Sequence, residues 1–350
     1  MIVIKSRHLT TPRLIALALC AVLARHFVSA AEDVSSQRAT QSIASRVDTL
    51  AQLPARLSAD YRGVRALVLV RGGCIVWDYY GTPADRTEPL PVDSVTKSVL
   101  SILVGIAVDQ GYLHLDQKLS SLLPETTEAN VDWRVRDITV RDLLTMTSGF
   151  NPAIVLLGGG IRRPMINTPG SQFRYDNTSA NLLSIFLTRA IAQLPRRFAD
   201  ENLFKPLGID NYQWTTDGDG NLIGSTSLWL TARDIAKIGL LYLRHGRWGD
   251  RQIVSEKFVA DSTVRHNDGG PPVRSPYGYL WWVKAGDSGP AAFFAAGSGS
   301  QLIYVVPQLD LVVAMASMSS VSGGSKNFVD QLVLPAAATL PRAATCVALR

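Results

Sequence analysis

The sequence predicts an α/β (α+β) fold, in which an antiparallel sheet with flanking helices is built from both ends of the chain around an inserted all-α domain. Strand-like apolar runs occur early, at residues 64–80, and again late, at residues 277–317. The long stretch between them has apolar residues at helical spacing instead. We therefore predict three parts, which are a signal peptide at 1–30, a sheet domain from 31–90 and 246–350, and a mainly helical domain at 91–245.

The early strands form a predicted β-hairpin. Residues 64–70 and 74–80 flank Arg71-Gly72-Gly73, a turn sequence suited to joining two antiparallel strands. An amphipathic helix is expected before the hairpin, at 35–58. The other predicted elements follow in chain order, with helices at 94–109, 138–146, 178–192 and 231–245, strands at 277–283, 291–296, 302–306 and 311–317, and a last helix at 326–334.

The first 30 residues have the pattern of a secretory signal peptide. A basic segment with Lys5, Arg7 and Arg13 precedes the apolar run 14–24, and Val28-Ser29-Ala30 offers a cleavage site between small residues. The apolar run is too short to span a bilayer, so we expect no stable membrane insertion after the signal is removed. These features predict a periplasmic or secreted protein.

The charge of the mature chain excludes one class of partner. Loss of the four cations in residues 1–30 lowers the formal net charge from +6 to +2. No polybasic run remains, so nucleic acid is not an expected partner. The sequence leaves the oligomeric state open.

Cysteine and histidine usage predicts neither a metal centre nor a cofactor. The mature chain keeps Cys74 and Cys346, and neither has the spacing of a metal-binding or redox motif. No His-Glu-x-x-His pattern and no phosphate-binding glycine loop occurs in the sequence. An oxidising compartment permits a disulfide between the two cysteines, although their presence alone does not establish one.

Ser94-Val95-Thr96-Lys97 places a hydroxyl and an amine one helical turn apart. The apolar run that follows predicts a buried helix, with Ser94 in its first turn and Lys97 on the same face. A serine needs an adjacent base to become a nucleophile, and a lysine serves as that base when burial and the positive end of a helix keep it neutral. The spacing is equally typical of a capped surface helix with a solvated lysine.

A second candidate lies in the loop before the helix predicted at 178–192. Tyr175 and Asn177 are two residues apart, so their side chains point the same way if the loop is extended. The phenol could shuttle a proton, and the amide could bond a lysine and a substrate carbonyl. The structural alternative is that Tyr175 packs in the core and Asn177 caps the helix.

A third candidate is the segment Gly297-Ser298-Gly299-Ser300, between two predicted strands. Glycine inside strand sequence permits close approach of a ligand or of another backbone. A backbone N–H of this segment could help to hold an oxyanion. A plain hairpin turn has the same sequence pattern.

In this order the three segments resemble the penicillin-recognising serine hydrolases, the family of class C β-lactamases, DD-peptidases and related esterases. The sequence is most similar to the branch that contains the 6-aminohexanoate-dimer hydrolases. The matching segments lie at 94–98, 139–149, 203–209, 230–237 and 277–282. The resemblance implies a β-lactamase-like fold and no cofactor.

The resemblance also implies a role for each candidate residue. Ser94 would be the acylated nucleophile, and Lys97 and Tyr175 would share the proton transfers. Asn177 would orient Lys97 and the substrate. The backbone N–H of Ser94 and that of Ser300, the residue after Gly299, would form the oxyanion hole. The expected activity is cleavage of an ester or amide bond in a small molecule through an acyl-enzyme.

One position departs from the family pattern. Many members have Lys or His before the Thr/Ser-Gly pair, where this sequence has Gly297 before Ser298-Gly299. The cation that would bind a substrate carboxylate is missing, which favours neutral esters or small amides. Arg162 or Arg163 could still supply that cation from another loop.

Two other functions stay open from the sequence. One is a β-lactamase or DD-peptidase acting on penicillins or peptidoglycan, and the other is a non-catalytic binding or sensor protein that retains the fold. The aromatic residues Tyr277, Tyr279, Trp281 and Trp282 either line an acyl pocket or form the faces of a strand.

Overall fold

The computed structural model describes residues 51–153, 160–321, 324–337 and 347–349. The predicted signal peptide and the first part of the helix predicted at 35–58 lie outside these residues, so export of the protein stays a prediction. Residues 51–60, where the description begins, are helical and are called α1.

The described strands contribute to one large sheet and two small ones. In chain order they are β1 (Val64–Arg71), β2 (Cys74–Tyr80), β3 (Leu90–Pro91), β4 (Gln213–Trp214), β5 (Leu228–Leu230), β6 (Arg247–Trp248), β7 (Arg251–Gln252), β8 (Asn267–Gly270), β9 (Ser275–Tyr277), β10 (Trp282–Lys284), β11 (Ala292–Gly297), β12 (Gln301–Val306), β13 (Leu311–Ser317) and β14 (Val347–Ala348). The large sheet has the order β14-β2-β1-β13-β12-β11-β10-β9-β8, while β3-β5-β4 and β6-β7 form the small sheets.

The described α-helices lie mostly between the early and the late strands. They are α2 (Val95–Asp109), α3 (Val140–Leu144), α4 (Asn177–Ile191), α5 (Pro195–Ala199), α6 (Ala232–Leu243), α7 (Glu256–Ser262), α8 (Ser325–Phe328) and α9 (Leu334–Ala337). A π-helical turn at Asp200–Phe204 continues α5, and another at Val329–Val333 joins α8 to α9.

The early and late parts of the chain meet in the centre of the large sheet. β1 pairs antiparallel with β13, with Val68 opposite Ala314, and also pairs antiparallel with β2. All residues of β12 and β13 are buried, because helices cover both faces of the sheet at this point. The predicted hairpin and the predicted antiparallel sheet are therefore confirmed.

The single strand predicted at 277–283 is two strands in the structure. The chain turns between β9 and β10, where the N–H of Gly278 donates to the carbonyl of Trp281 at 2.8 Å. Leu280 has a φ of 60° there, and its N–H donates to the carbonyl of Leu144 at 2.9 Å. The sequence predicted one strand because the apolar residues continue through this tight turn, so their pattern gives no sign of it.

Helix α6 packs on the large sheet, although the predicted boundary at 245 grouped it with the helical domain. Its Gly239 lies so close that a Cβ there would come within 2.5 Å of Val312 Cγ1 and 2.9 Å of Ile303 Cγ2. The described residues from Pro54 onward belong to one compact unit. The small sheet β3-β5-β4 was also not predicted, because its strands are only two or three residues long.

Helix α2 is anchored to the turn between β9 and β10. The hydroxyl of Ser98 donates to the carbonyl of Leu280 at 2.6 Å, and that of Ser101 donates to the carbonyl of Tyr279 at 2.7 Å. On another side Gly105 packs against the ring of Phe258, since a Cβ on that glycine would lie 2.4 Å from Cδ1. These contacts fix the position of α2 and so of Ser94, the residue just before its first turn.

The structure also bears on membrane spans, metal-binding groups and the disulfide. No helix among the described residues has the length and apolar character needed to cross a membrane. The same residues contain no group of three or more His, Cys, Asp or Glu side chains arranged to hold a metal ion. Cys74 is disulfide-bonded. Because Cys346 lies outside the described residues, the structure does not identify the partner of Cys74, and the Cys74–Cys346 pairing stays open.

Candidate active site

Ser94 and Lys97 lie in hydrogen-bond contact at the start of α2. The amine of Lys97 donates to the Ser94 hydroxyl at 3.0 Å. Ser94 is the residue that begins the helix, but its hydroxyl makes no capping bond to the backbone of α2. The alternative of a capped surface helix with a solvated lysine is wrong, because Lys97 is only 1% exposed.

Lys97 is held in place by a backbone carbonyl from a distant part of the chain. Its amine donates to the carbonyl of Ser225 at 2.8 Å, a bond that is fully buried. The N–H of Ser225 donates in turn to Oδ1 of Asn181 at 3.0 Å. Asn181 lies on α4, so this chain of bonds connects the amine to the helix that follows Tyr175.

The aromatic ring of Tyr175 faces the same amine. The amine of Lys97 lies 4.9 Å from the centroid of the Tyr175 ring. The ring stacks on Trp282, with centroids 5.8 Å apart and an interplanar angle of 18°. The structure therefore brings Tyr175 next to Ser94 and Lys97, which lie 81 and 78 positions before it in the sequence.

Asn177 lines the same cavity as Ser94 and Tyr175 but does not contact Lys97. It is the first residue of α4, and its neighbour Asp176 caps the helix by accepting from the N–H groups of Thr178 and Ser179. The side chain of Asn177 is exposed and forms no hydrogen bond with Lys97 among the described residues. The carbonyl of Ser225 occupies the position at the amine that was expected for Asn177.

The glycine-rich turn approaches Ser94 through Gly297. A Cβ on Gly297 would lie 3.1 Å from the Ser94 backbone nitrogen and 2.6 Å from the Val92 carbonyl oxygen, so a side chain does not fit without movement. Gly299 and Ser300 follow with φ values of 69° and 73°. The Ser300 hydroxyl is turned inward and accepts from the N–H of Val321 at 2.9 Å.

A cavity of about 310 Å³ opens over these groups. Its described lining residues carry no charged side chain. They are Ser94, Tyr175, Asn177, Pro272, Val273, Trp282, Ala296, Gly297, Ser298, Gly299, Ser300, Ser320, Gly324 and Ser325. Larger cavities of about 760 and 450 Å³ lie elsewhere and contain none of these residues, so the reactive groups decide which cavity is the candidate site.

Comparison with known families agrees with this geometry. The model of the Beta-lactamase family matches residues 44–338, which is most of the chain. The chain belongs to this family. The family and fold expected from the sequence are thereby confirmed. A comparison with curated protein sequences gave no match.

Solved structures of this family have the same fold at low sequence identity. A Bacillus anthracis protein described as a 6-aminohexanoate-dimer hydrolase is 20% identical, with a TM-score of 0.71 over 83% of this chain and 82% of that one. A penicillin-binding protein from Bacillus halodurans is 19% identical, with a TM-score of 0.60 over 77% of this chain and 95% of that one. EstCE1, a hydrolase with promiscuous acyltransferase activity, is 17% identical, with a TM-score of 0.64 over 86% of this chain and 99% of that one.

Arg162 and Arg163 were candidates for the cation that is missing at Gly297, but both are paired with carboxylates of other residues. Arg163 is fully buried and forms two hydrogen bonds to the carboxylate of Asp176, at 3.1 and 2.8 Å. Arg162 pairs with Glu128. Neither arginine lines the cavity, so neither supplies a free cation to a substrate.

The aromatic residues of the predicted 277–283 strand divide between the cavity and the core. Trp282 lines the cavity, whereas Tyr279 and Trp281 are buried in the core. Tyr277 is buried behind Trp282, with ring centroids 4.5 Å apart. Burial raises the pKa of Tyr277 well above its usual range, and the nearby Tyr175 adds to the effect. The phenol of Tyr277 is therefore neutral at neutral pH.

Asp93 places a carboxyl directly before Ser94. Its φ of 44° is in the left-handed region, which aspartate tolerates better than most residues. Burial raises the pKa of Asp93, and the positive charge of Lys97 partly opposes this effect. The carbonyl of Asp93 accepts from the N–H of Thr96 at 3.0 Å and so forms part of the turn that starts α2.

Two features of the site were missed by the sequence analysis. The Ser225 carbonyl has no residue-type signal, since every residue has a carbonyl and the contact spans 128 positions. The pairing of Arg163 with Asp176 could not be found either, because charged residues are common. The position of Asp176 just before a helical run was the available signal, as aspartate is a favoured cap.

We predict that Gly297→Ala lowers the kcat for p-nitrophenyl butyrate by about 10²-fold, because the added Cβ must displace the backbone at Val92 or Ser94 and a shift near 1 Å costs about that much. Steady-state kinetics on folded protein measures the effect. The control is Gly218→Ala, since no atom lies within 4 Å of a Cβ there. Equal kcat values for the two variants would contradict the prediction.

Proposed function

We propose that this member of a serine hydrolase family cleaves neutral ester or small amide bonds through an acyl-enzyme on Ser94. The observation that carries the proposal is the 3.0 Å contact between the Ser94 hydroxyl and the buried amine of Lys97. A hydroxyl beside a desolvated amine is an arrangement that produces a nucleophile. The uncharged cavity above it supports a neutral substrate.

Acylation starts with the transfer of the Ser94 proton. In the neutral amine form Lys97 accepts that proton while Ser94 Oγ forms a bond to the substrate carbonyl carbon. The carbonyl electron pair moves onto oxygen and returns as the bond to the leaving oxygen or nitrogen breaks. The proton reaches the leaving group through the Lys97 amine and the Tyr175 phenol, and an alcohol or amine departs.

Deacylation reverses these roles with water as the nucleophile. The water loses a proton to the Lys97–Tyr175 pair as its oxygen bonds to the acyl carbon. The bond from that carbon to Ser94 Oγ breaks, the proton returns to Ser94, and a carboxylic acid leaves. The cavity above Ser94 provides the approach for this water.

We infer that the oxyanion is held by two backbone N–H groups. The first is that of Ser94, which has no hydrogen-bond partner among the described residues. For the second we favour Ser298 over Ser300, because Ser298 directly follows Gly297, whose Cβ position lies 3.1 Å from the Ser94 nitrogen, whereas a Cβ on Gly299, the residue before Ser300, would have no Ser94 atom among its nearest neighbours. Loss of one such donor typically costs about 10²- to 10³-fold in kcat.

The charge distribution around the cavity supports neutral substrates. The two lysines of the last strands and helices, Lys284 and Lys326, both pair with Asp330, at 2.9 and 3.1 Å. A carboxylate on the substrate would therefore find no cation in the described cavity lining. It would lack a charge-assisted hydrogen bond to the enzyme, a contact that contributes about 1.5–3 kcal/mol. Asn177 and the serine hydroxyls of the rim are suited to bonding carbonyl and amide groups instead.

We predict that Ser94→Ala lowers the kcat for p-nitrophenyl butyrate by at least about 10³-fold, because removal of the nucleophile leaves only binding and the oxyanion donors. The matched control is Ser121→Ala, which removes an exposed hydroxyl outside the cavity. Turnover by Ser94→Ala at the rate of this control would refute the assignment of the nucleophile. No turnover by the wild-type protein would instead favour the non-catalytic binding protein that the sequence left open.

We predict a preference for uncharged acyl groups. The kcat/KM for p-nitrophenyl butyrate should exceed those for mono-p-nitrophenyl glutarate and nitrocefin by tenfold or more, because each of the latter carries a carboxylate that finds no cation in the cavity. All three are measured on one enzyme preparation. A tenfold advantage for nitrocefin would replace the esterase or amidase function with that of a β-lactamase.

A further inference from the structure

A buried ion pair lies next to the reactive tyrosine. Asp176 stands between Tyr175 and Asn177, and its carboxylate accepts two hydrogen bonds from Arg163, at 3.1 and 2.8 Å. The side chains of Arg163 and Asp176 are 0% and 1% exposed. Two charges at this depth are kept only where each is fully compensated, since removal of one partner leaves the other desolvated.

The carboxylate of Asp176 also fixes the start of α4. It accepts from the backbone N–H of Thr178 at 3.0 Å and from that of Ser179 at 3.1 Å, and in addition from the Ser179 hydroxyl. Five donors therefore converge on one carboxylate. The backbone on both sides of Asp176 has little freedom to move while these bonds persist.

The Arg163 guanidinium has further contacts besides Asp176 that hold it in place. Arg163 lies over the ring of Phe150 at 4.4 Å, and its Nε donates to the carbonyl of Gly160 at 3.3 Å. Its planar, two-pronged geometry matches a carboxylate in a way that lysine cannot reproduce. The ion pair thus connects the segment that begins at residue 160 to the first turn of α4.

Tyr175 is the residue whose position this network controls most directly. It precedes Asp176, and its phenol ring lies between the Lys97 amine, at 4.9 Å, and the stacked Trp282. No hydrogen bond of its own fixes the Tyr175 side chain among the described residues. The ring is therefore positioned by stacking and by the backbone that Asp176 holds.

We propose that the Arg163–Asp176 ion pair is a positioning device that sets the Tyr175 phenol against Lys97, so that proton transfer depends on it more than substrate binding does. The inference rests on the proposed serine hydrolase function. Neither residue lines the cavity, which separates their effect from direct contact with substrate.

The chain contains a matched control for the stability of such a pair. Asp85 is also buried, accepts from Arg65 at 3.0 and 2.6 Å, and accepts from the N–H of Thr82 at the start of a helical turn. Burial opposes ionisation of Asp85, but the bonds from Arg65 and Thr82 outweigh it and lower its pKa. None of these residues lines the cavity, so a loss here affects the fold and not the site.

The experiment compares Asp176→Asn and Arg163→Lys with Asp85→Asn in the full-length enzyme. Asparagine is as good a helix cap as aspartate, although Asp176→Asn leaves the buried Arg163 charge without its partner. Arg163→Lys keeps both charges and removes only the paired geometry, so it is the milder of the two site variants. Thermal unfolding and near-UV circular dichroism establish the folded fraction. Steady-state kinetics with p-nitrophenyl butyrate then gives kcat and KM per folded enzyme.

We expect kcat to fall about 10- to 100-fold in both site variants, with KM changed by less than about threefold, because Tyr175 is displaced while the cavity is kept. Asp85→Asn should lower the melting temperature and leave kcat at the wild-type value. Wild-type kcat in folded Asp176→Asn or Arg163→Lys would overturn the proposal, as would an equal loss of kcat in Asp85→Asn. A wild-type enzyme that does not turn over p-nitrophenyl butyrate would instead contradict the proposed function itself.

Discussion

The buried amine of Lys97 is the constraint around which the rest of the site is arranged. An amine that is 1% exposed needs hydrogen-bond acceptors, because burial of an unsatisfied polar group costs several kcal/mol. Two oxygens satisfy it, the Ser94 hydroxyl one helical turn away and the Ser225 carbonyl from a distant loop. These contacts hold the amine beside the Ser94 hydroxyl at the floor of the cavity, and an adjacent base is what a serine nucleophile needs.

Two further features define the cavity above the amine, the close approach of the Gly297 backbone and the uncharged lining. Gly297 allows the β11 backbone to approach the Ser94 nitrogen, which a larger residue would prevent. Arg163 and Lys284 are held in ion pairs with Asp176 and Asp330, and the described lining of the cavity contains no charged side chain. The site therefore combines a reactive hydroxyl with an uncharged cavity, and specificity must come from shape, the Trp282 ring and neutral hydrogen bonds.

The sequence predicted the parts of the site that depend on local spacing and could not predict those that depend on tertiary contact. Ser94 and Lys97 were found because residues three apart share a helix face. Tyr175 was found as a loop residue before a helix, but the partner of Lys97 was expected to be Asn177. The structure places the Ser225 carbonyl there, a backbone group that no pattern of side chains reveals. The strand segments were predictable from their apolar residues, whereas the turn at Leu280 that anchors α2 was not, since apolar residues continue through it.

The central claim is that the Lys97 amine activates Ser94, and its most direct test is the rate of covalent labelling of Ser94 by a fluorophosphonate. The account predicts one adduct per chain by intact mass, located by peptide mapping at Ser94. It also predicts that Lys97→Met, which keeps the volume of the side chain and removes the base, slows labelling by about 10²- to 10⁴-fold. Labelling of Lys97→Met at the wild-type rate, or an adduct on any other serine, would contradict the account.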